Sequence, residues 1–303
     1  MNALEIFKNQ YAGRDTLADE LTADAIKKMT QAYENTFNSI FTKMQQAKQD
    51  VSYSEYAKQS RLLKQIAKEL DKLKRTSGKY LREALTQAAE YETKVTYEAL
   101  DVFNMGITRP EEWHLEFNKK YAEQTFKDQY FHIAGQTDRM QAQMKTQLQA
   151  DARQIFQRAA VDGITRKKAY YELKEKILSS TPDFQFTDKS GKNWKTETYL
   201  NMLTRTAMHN TSRESNINVL TNEGHDLVKV IINGAKDDCR NWEGRILSLT
   251  GATKGYPTVA EAKGSGEIFH PRCRHRVIAY HESIDDVFKA VESGMDDEQI
   301  LAA

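Results

Sequence analysis

Apolar residues recur at three- and four-residue steps through the first 180 positions, which is the period of a helix face. Ile26, Met29, Tyr33, Phe37, Ile40 and Met44 form one stripe, with Thr22 or Asp24 placed to cap it. Ser52-Tyr53-Ser54-Glu55 opens a second stripe of Leu62, Ile66, Leu70 and Leu73, which resumes beyond Gly78 as Leu81, Leu85, Ala88, Tyr91 and Val95. Unbroken from 55 to 98, that helix would be roughly 66 Å long at ~1.5 Å per residue. Pro110-Glu111-Glu112 reads as the first turn of a third helix, with proline and acids where the helix dipole favours them. Met140, Met144, Leu148, Ala152, Ile155 and Ala159 mark its far end, and Thr165-Arg166-Lys167-Lys168 starts a shorter helix. The stripes read as packing surface, so residues 1–180 are expected to form an elongated, mostly antiparallel helical assembly.

The punctuation then changes. Of the 4 prolines and 14 glycines, only Pro110 and five glycines precede residue 181. Phe184-Gln185-Phe186, an Asp/Ser/Gly turn and Trp194 predict a short hairpin. Thr196 caps a helix to about Asn222, stopped by Gly224. Strands are expected at Leu227–Ile232, Arg245–Leu249 and Arg276–Tyr280, with a loop rich in Gly and Pro between the last two. Ile284–Ser293 reads as a last small helix before a tail. The fold class is therefore α+β: a mainly helical region over 1–180, a small C-terminal α+β module over 181–283, and a short helix and tail over 284–303.

Composition narrows the function. Charged residues at 29% against 39% hydrophobic, and a mean hydropathy of −0.72, suit long exposed helices better than one thick core. Net charge is +1, so no global basic field recruits nucleic acid and any such contact must be local. No run approaches the ~18 apolar residues of a membrane span. Met1-Asn2-Ala3-Leu4-Glu5 lacks a secretory signature, and two cysteines make no disulfide framework, so a reducing cytoplasm is expected. There is no Walker loop, dinucleotide fingerprint, H-E-x-x-H, deaminase signature or G-x-S-x-G elbow, so the chain is expected not to be an enzyme.

The candidate chemistry lies in Asp237-Asp238-Cys239-Arg240 and, further on, His270-Pro271-Arg272-Cys273-Arg274-His275. Pairing the strand that ends near Asn233 with the one that starts at Arg276 would bring the two groups together. Cys239, His270, Cys273 and His275 are then a four-ligand set for structural Zn2+, which takes tetrahedral sulfur and nitrogen donors. In small fingers such a staple supplies ~10–16 kcal/mol toward folding. Three alternatives stay open: a Cys239–Cys273 disulfide, two unlinked buried thiols, and a Cys239 nucleophile with a histidine base. Arg240, Arg245, Arg272, Arg274 and Arg276 crowd the same region, either as a local contact for DNA or an acidic partner, or as a solvated face balanced by Asp237, Asp238, Glu243 and Glu267. His114, His132, His209, His225 and His281 lack ligand-like spacing and read as ordinary surface or core histidines.

Three segments carry a family resemblance: Thr204-Arg205-Thr206-Ala207-Met208-His209-Asn210-Thr211-Ser212-Arg213, Asp238-Cys239-Arg240-Asn241-Trp242-Glu243-Gly244, and Ile268-Phe269-His270-Pro271-Arg272-Cys273-Arg274-His275. With the 184–194 hairpin they resemble phage head-morphogenesis (minor capsid) proteins related to the F protein of phage Mu, above all the Gram-positive phage minor capsid type. The likeness covers roughly residues 184–282, while 1–180 match only as a long helical part of suitable size. It implies a non-enzymatic virion protein, present in few copies inside the head near the portal and in the host cytoplasm during assembly. The partners it implies are the portal protein, major capsid or scaffolding protein, and viral dsDNA during packaging or ejection. Two departures stand out: many relatives have Cys-x-x-Cys where this chain ends in Trp242, and a final cysteine where it has His275. Two other functions stay open, a zinc- or cysteine-dependent nuclease or toxin-like enzyme and a DNA-binding accessory protein that uses the arginines.

Overall fold

The computed structural model describes residues 16–46, 55–161, 185–187 and 193–281. Three long helices come first: α1 (Thr16–Gln46), α2 (Glu55–Val102) and α3 (Glu111–Val161). Helix α1 starts earlier than the caps at Thr22 or Asp24 predict; Thr22 is buried inside it, and Asp19 is the acid of its first turn. Helix α2 runs straight through Gly78. A Cβ there would stand 2.6 Å from Cε2 of Tyr130 on α3, so glycine marks a close approach and no break. Helix α3 follows Pro110 directly, with Glu111 and Glu112 in its first turn as expected.

Strands β1 (Gln185–Thr187) and β2 (Asn193–Lys195) form the antiparallel hairpin, with Phe186 opposite Trp194. Helix α4 (Thr196–Asn222) leads by a turn at Gly224, where φ is +84°, into β3 (Leu227–Val230). Strands β4 (Ile246–Ser248) and β5 (Val277–Ala279) flank β3 in the order β4-β3-β5, both antiparallel to it. Val228 pairs with Leu247 on one side and Ala279 on the other. The fold is thus mainly helical with a small antiparallel sheet toward its end. A short helix α5 (Val259–Gly264) sits where a plain loop was expected. Its signal was present in the sequence: Thr258 accepts from the Glu261 backbone N–H while the Glu261 carboxylate accepts from that of Thr258, a capping box. The helices expected near 165 and at 284–293 lie outside the described residues.

The chain divides into two compact units, 1–26 with 81–127 and 202–303, and 27–80 with 128–201. In the second unit the expected stripes are buried, among them Met29, Tyr33 and Ile40, then Ile66, Leu70 and Leu73, with Ile133. In the first, Leu100 of α2 and Val219 and Leu220 of α4 share a core with the sheet residues Val228, Val230, Leu247, Val277 and Ile278. Full burial of such side chains is worth about 1.5–3 kcal/mol each.

The first unit is also held by buried polar contacts, which explains how a chain of such low hydropathy packs. Asn118 donates to Thr93 Oγ1 (2.8 Å) and to the Ser215 carbonyl (3.1 Å), and Asn216 donates to Thr96 Oγ1 (2.9 Å). Glu223, just past α4, accepts from the Thr108 N–H and hydroxyl and from the Arg109 N–H, and it bonds His114 Nε2 at 2.9 Å. That carboxylate ties the α2–α3 connection to the end of α4.

Candidate metal centre

Both halves of the centre are placed by backbone geometry beside the sheet. After β3 the chain turns, and the Asn233 and Ala235 N–H groups both donate to Glu243 Oε1 at 3.0 Å. Asp237 then caps a single 3-10 turn, Asp238–Asn241, accepting from the Cys239 N–H at 3.2 Å, which directs Cys239 into the core at 2% exposure. The second half is folded by two left-handed residues, Phe269 (φ +59°) and Arg272 (φ +69°). Cys273 N–H closes this turn on the His270 carbonyl at 3.0 Å. Arg272 N–H donates to Thr206 Oγ1 of α4 at 3.1 Å, and the Phe269 ring lies under the Arg213 guanidinium at 4.4 Å. The strand pairing expected to bring the halves together is the observed β3–β5 pairing.

Cys239, His270 and Cys273 meet, with their ligand atoms all within 4.8 Å of one another. Both cysteines are free, and their Sγ atoms are 3.8 Å apart. Two thiolates at ~2.3 Å from one tetrahedral zinc would be about 3.8 Å apart, so the spacing is that of a shared metal edge and not of a bonded pair. His270 Nε2 stands 3.0 Å from Cys239 Sγ, shorter than the roughly 3.6 Å of a sulfur–nitrogen edge around zinc. His275 Nδ1 lies 3.4 Å from Cys273 Sγ but outside the three-residue group. Of the four expected ligands, three converge and the fourth touches one of them.

Neighbouring acceptors orient both rings. His270 Nδ1 faces the Pro271 carbonyl at 2.9 Å, which leaves Nε2 for the sulfurs. His275 Nε2 bonds Glu243 Oε1 at 3.0 Å, which leaves Nδ1 toward Cys273. A carboxylate or carbonyl behind each imidazole is the arrangement found around metal-binding histidines, and here the donor set fits a zinc-sized ion. Burial by itself would raise the Glu243 carboxyl, but the Ala235 N–H, His275 and the Asn233 N–H outweigh it and hold the group below its ordinary value. Burial, then the neighbouring Cys273, push the Cys239 thiol upward. Cys273 also feels burial, yet its hydrogen bonds to His275 prevail and bring it down to about 7. Of the two thiols, Cys273 is therefore the more readily ionised.

The sequence reading passed over Glu243 as a ligand orienter and His209 as a site residue. Glu243 carried no spacing signal, because its partners are two backbone N–H groups and a histidine 32 positions away. Trp242 is buried and donates from its indole to Glu267 at 2.8 Å, so it packs the core. The arginines divide. Arg272, Arg274 and Arg276 line a cavity whose wall also holds the Cys–His group, with Arg276 buried 3.9 Å from Glu92. Arg240 and Arg245 are exposed and do not line it; Arg245 lies over the Trp242 ring at 5.1 Å.

A family model for phage minor capsid protein 2 matches residues 17–297. The chain belongs to that family. The match takes in both compact units and both halves of the Cys–His group, well beyond the part whose motifs carried the resemblance. No curated protein and no solved structure gives a significant match. As a member of the phage minor capsid protein 2 family the chain is a component of the virion head and contacts other head components. Among the described residues no helix is long and apolar enough to cross a membrane.

Proposed function

We propose that this minor capsid protein sits inside the head beside the portal. It docks there on the portal protein and on major capsid or scaffolding subunits, and it serves in packaging or ejecting the viral dsDNA. It acts by adhesion and catalyses no reaction, and it passes through the host cytoplasm during assembly. The observation that carries this reading is the family match over 17–297, which includes the helical part suited to docking as well as the metal-centre module. The exposed aromatics support it. Trp113 and Phe117 stack at 5.5 Å on the surface of α3, with the Arg109 guanidinium over Trp113 at 4.3 Å, and aromatic–arginine groupings of this kind are enriched where proteins meet.

The structural role falls to zinc on Cys239, His270, Cys273 and His275. When bound, the ion would join two segments whose cysteines are 34 positions apart, replacing apolar core that a glycine-rich loop lacks. Co-expression with the cognate portal protein, followed by affinity purification and elemental analysis, tests both parts. Co-purification with portal and about one zinc per chain is expected. Failure to retain portal would remove the docking assignment, and metal-free protein of unchanged stability would remove the zinc.

A further inference from the structure

A cavity of about 320 Å3 has Cys239, His270, Cys273 and His275 in its wall, together with His209, Lys236, Arg272, Arg274 and Asp19. Arg205, one helical turn before His209 on α4, stands within electrostatic reach of Arg272, Arg274 and Asp19. Burial first, then those two cations, push its guanidinium below the ordinary value. Among the described residues no carboxylate lies within ion-pair distance of Arg205, Lys236, Arg272 or Arg274.

His209 is 4% exposed, and its Nδ1 has no hydrogen-bond partner. Burial, then Arg276, Arg205, Arg213 and Arg274, push it down to about 3, so the ring is neutral and can present one N–H to a guest. The structure thus holds like charges around a hollow, one of whose lining residues carries a buried polar atom without a partner. Among the described residues the acids in this wall are Asp19 and Asp237, and Asp237 is engaged with the Cys239 N–H and lies 3.7 Å from His270. The arginines and lysine leave this wall positive, which suits an oxyanion. Guanidinium forks also pair two oxygens at once, as phosphoryl groups offer.

We propose that this cavity binds a phosphoryl group, held by Arg272 and Arg274 and by Arg205, which lies outside the wall but within electrostatic reach of both, with His209 Nδ1 and Lys236 completing the ligand set. The shared chemistry is the phosphoryl group, supplied either as free phosphate or by a nucleic acid, as a strand terminus or a backbone phosphate. This deepens the phage-head reading by assigning an anion site next to the metal centre. It does not depend on portal docking, so the pull-down and the test below can fail separately.

The test is calorimetric titration of the full chain, with metal content measured in every sample. The probes are inorganic phosphate, a 5′-phosphorylated short single strand, its unphosphorylated twin, a duplex, and acetate as the carboxylate control. Phosphate or a phosphate-bearing strand should bind, and R205Q with R274Q should weaken binding at least about tenfold, one power of ten in the equilibrium constant. R240Q with R245Q, outside the cavity, should leave it unchanged. Preference for the phosphorylated strand assigns a terminus, equal binding of the twins assigns the backbone, and binding of inorganic phosphate alone assigns the free ion. Each of these supports the site. If the double variant loses its helical circular dichroism, R205K alone decides, with an intermediate loss expected because charge is kept and the fork is lost. No phosphate binding by any probe, undiminished binding in the cavity variants, or acetate binding as tightly as phosphate would overturn the proposal.

Discussion

Replacing Glu243 with glutamine tests how the centre is held. One oxygen, Oε1, accepts from the Asn233 N–H, the Ala235 N–H and His275 Nε2, each at 3.0 Å. The side chain is 12% exposed, so solvent screens these bonds little. Glutamine keeps the shape and an acceptor oxygen but removes the charge. A hydrogen bond to a charged group is worth about 1.5–3 kcal/mol and a neutral one about 0.5–1.5, so each of the three loses roughly 1 kcal/mol. E243Q should therefore cost about 2–3 kcal/mol of stability. Removing the carboxylate behind a metal-binding histidine should also weaken zinc affinity by about 10–100-fold. Urea unfolding followed by circular dichroism reads the first effect, and competition with a chromogenic chelator reads the second. An unfolding change below about 0.5 kcal/mol together with zinc affinity within about twofold of the parent would refute the reasoning, since neither turn nor ring would then depend on the charge.

Three further outcomes are expected. Cys273→Ser should abolish stoichiometric zinc in elemental analysis, and retention of a full equivalent would exclude Cys273 as a ligand. Gly78→Ala gains about 1 kcal/mol of helix propensity but sets a Cβ 2.6 Å from the Tyr130 ring, an overpacking cost of about 1–3 kcal/mol. It should lower the melting temperature in the parent and raise it when Tyr130 is also alanine; a rise in both backgrounds would remove the close approach as the reason for the glycine. Asp226 and Glu223 are both held below the ordinary carboxyl range: burial raises each, but the hydroxyl and N–H donors around Asp226, and Thr108, His114 and Arg109 around Glu223, outweigh it. Depressed carboxyls stabilise the fold fully above their unfolded values near ~4, and the contribution drains away as pH falls through the folded values. Stability should fall below about pH 4, less steeply in D226N, and a D226N profile parallel to the parent's would contradict this.

Periodicity and start signals located α2 and α3, and apolar runs the three strands, because each rests on contacts that repeat every few residues. Ligand chemistry was legible at Cys239, His270 and Cys273, since sulfur and imidazole are rare donors and the neighbouring strand pattern showed how distant segments could meet. The same local view placed the start of α1 too late. Thr22 has the chemistry of a cap, and only packing shows that it is buried inside the helix. Nothing in spacing marked Glu243, whose partners come from a turn and from His275, beyond β4 and α5. The arginines looked alike along the chain, yet folding set Arg272 and Arg274 around a cavity with His209 and left Arg240 and Arg245 outside it. Repeating apolar contacts are written along the chain, whereas a site assembled from α4, a turn and a loop exists only once those elements pack, because its geometry depends on contacts between residues tens of positions apart.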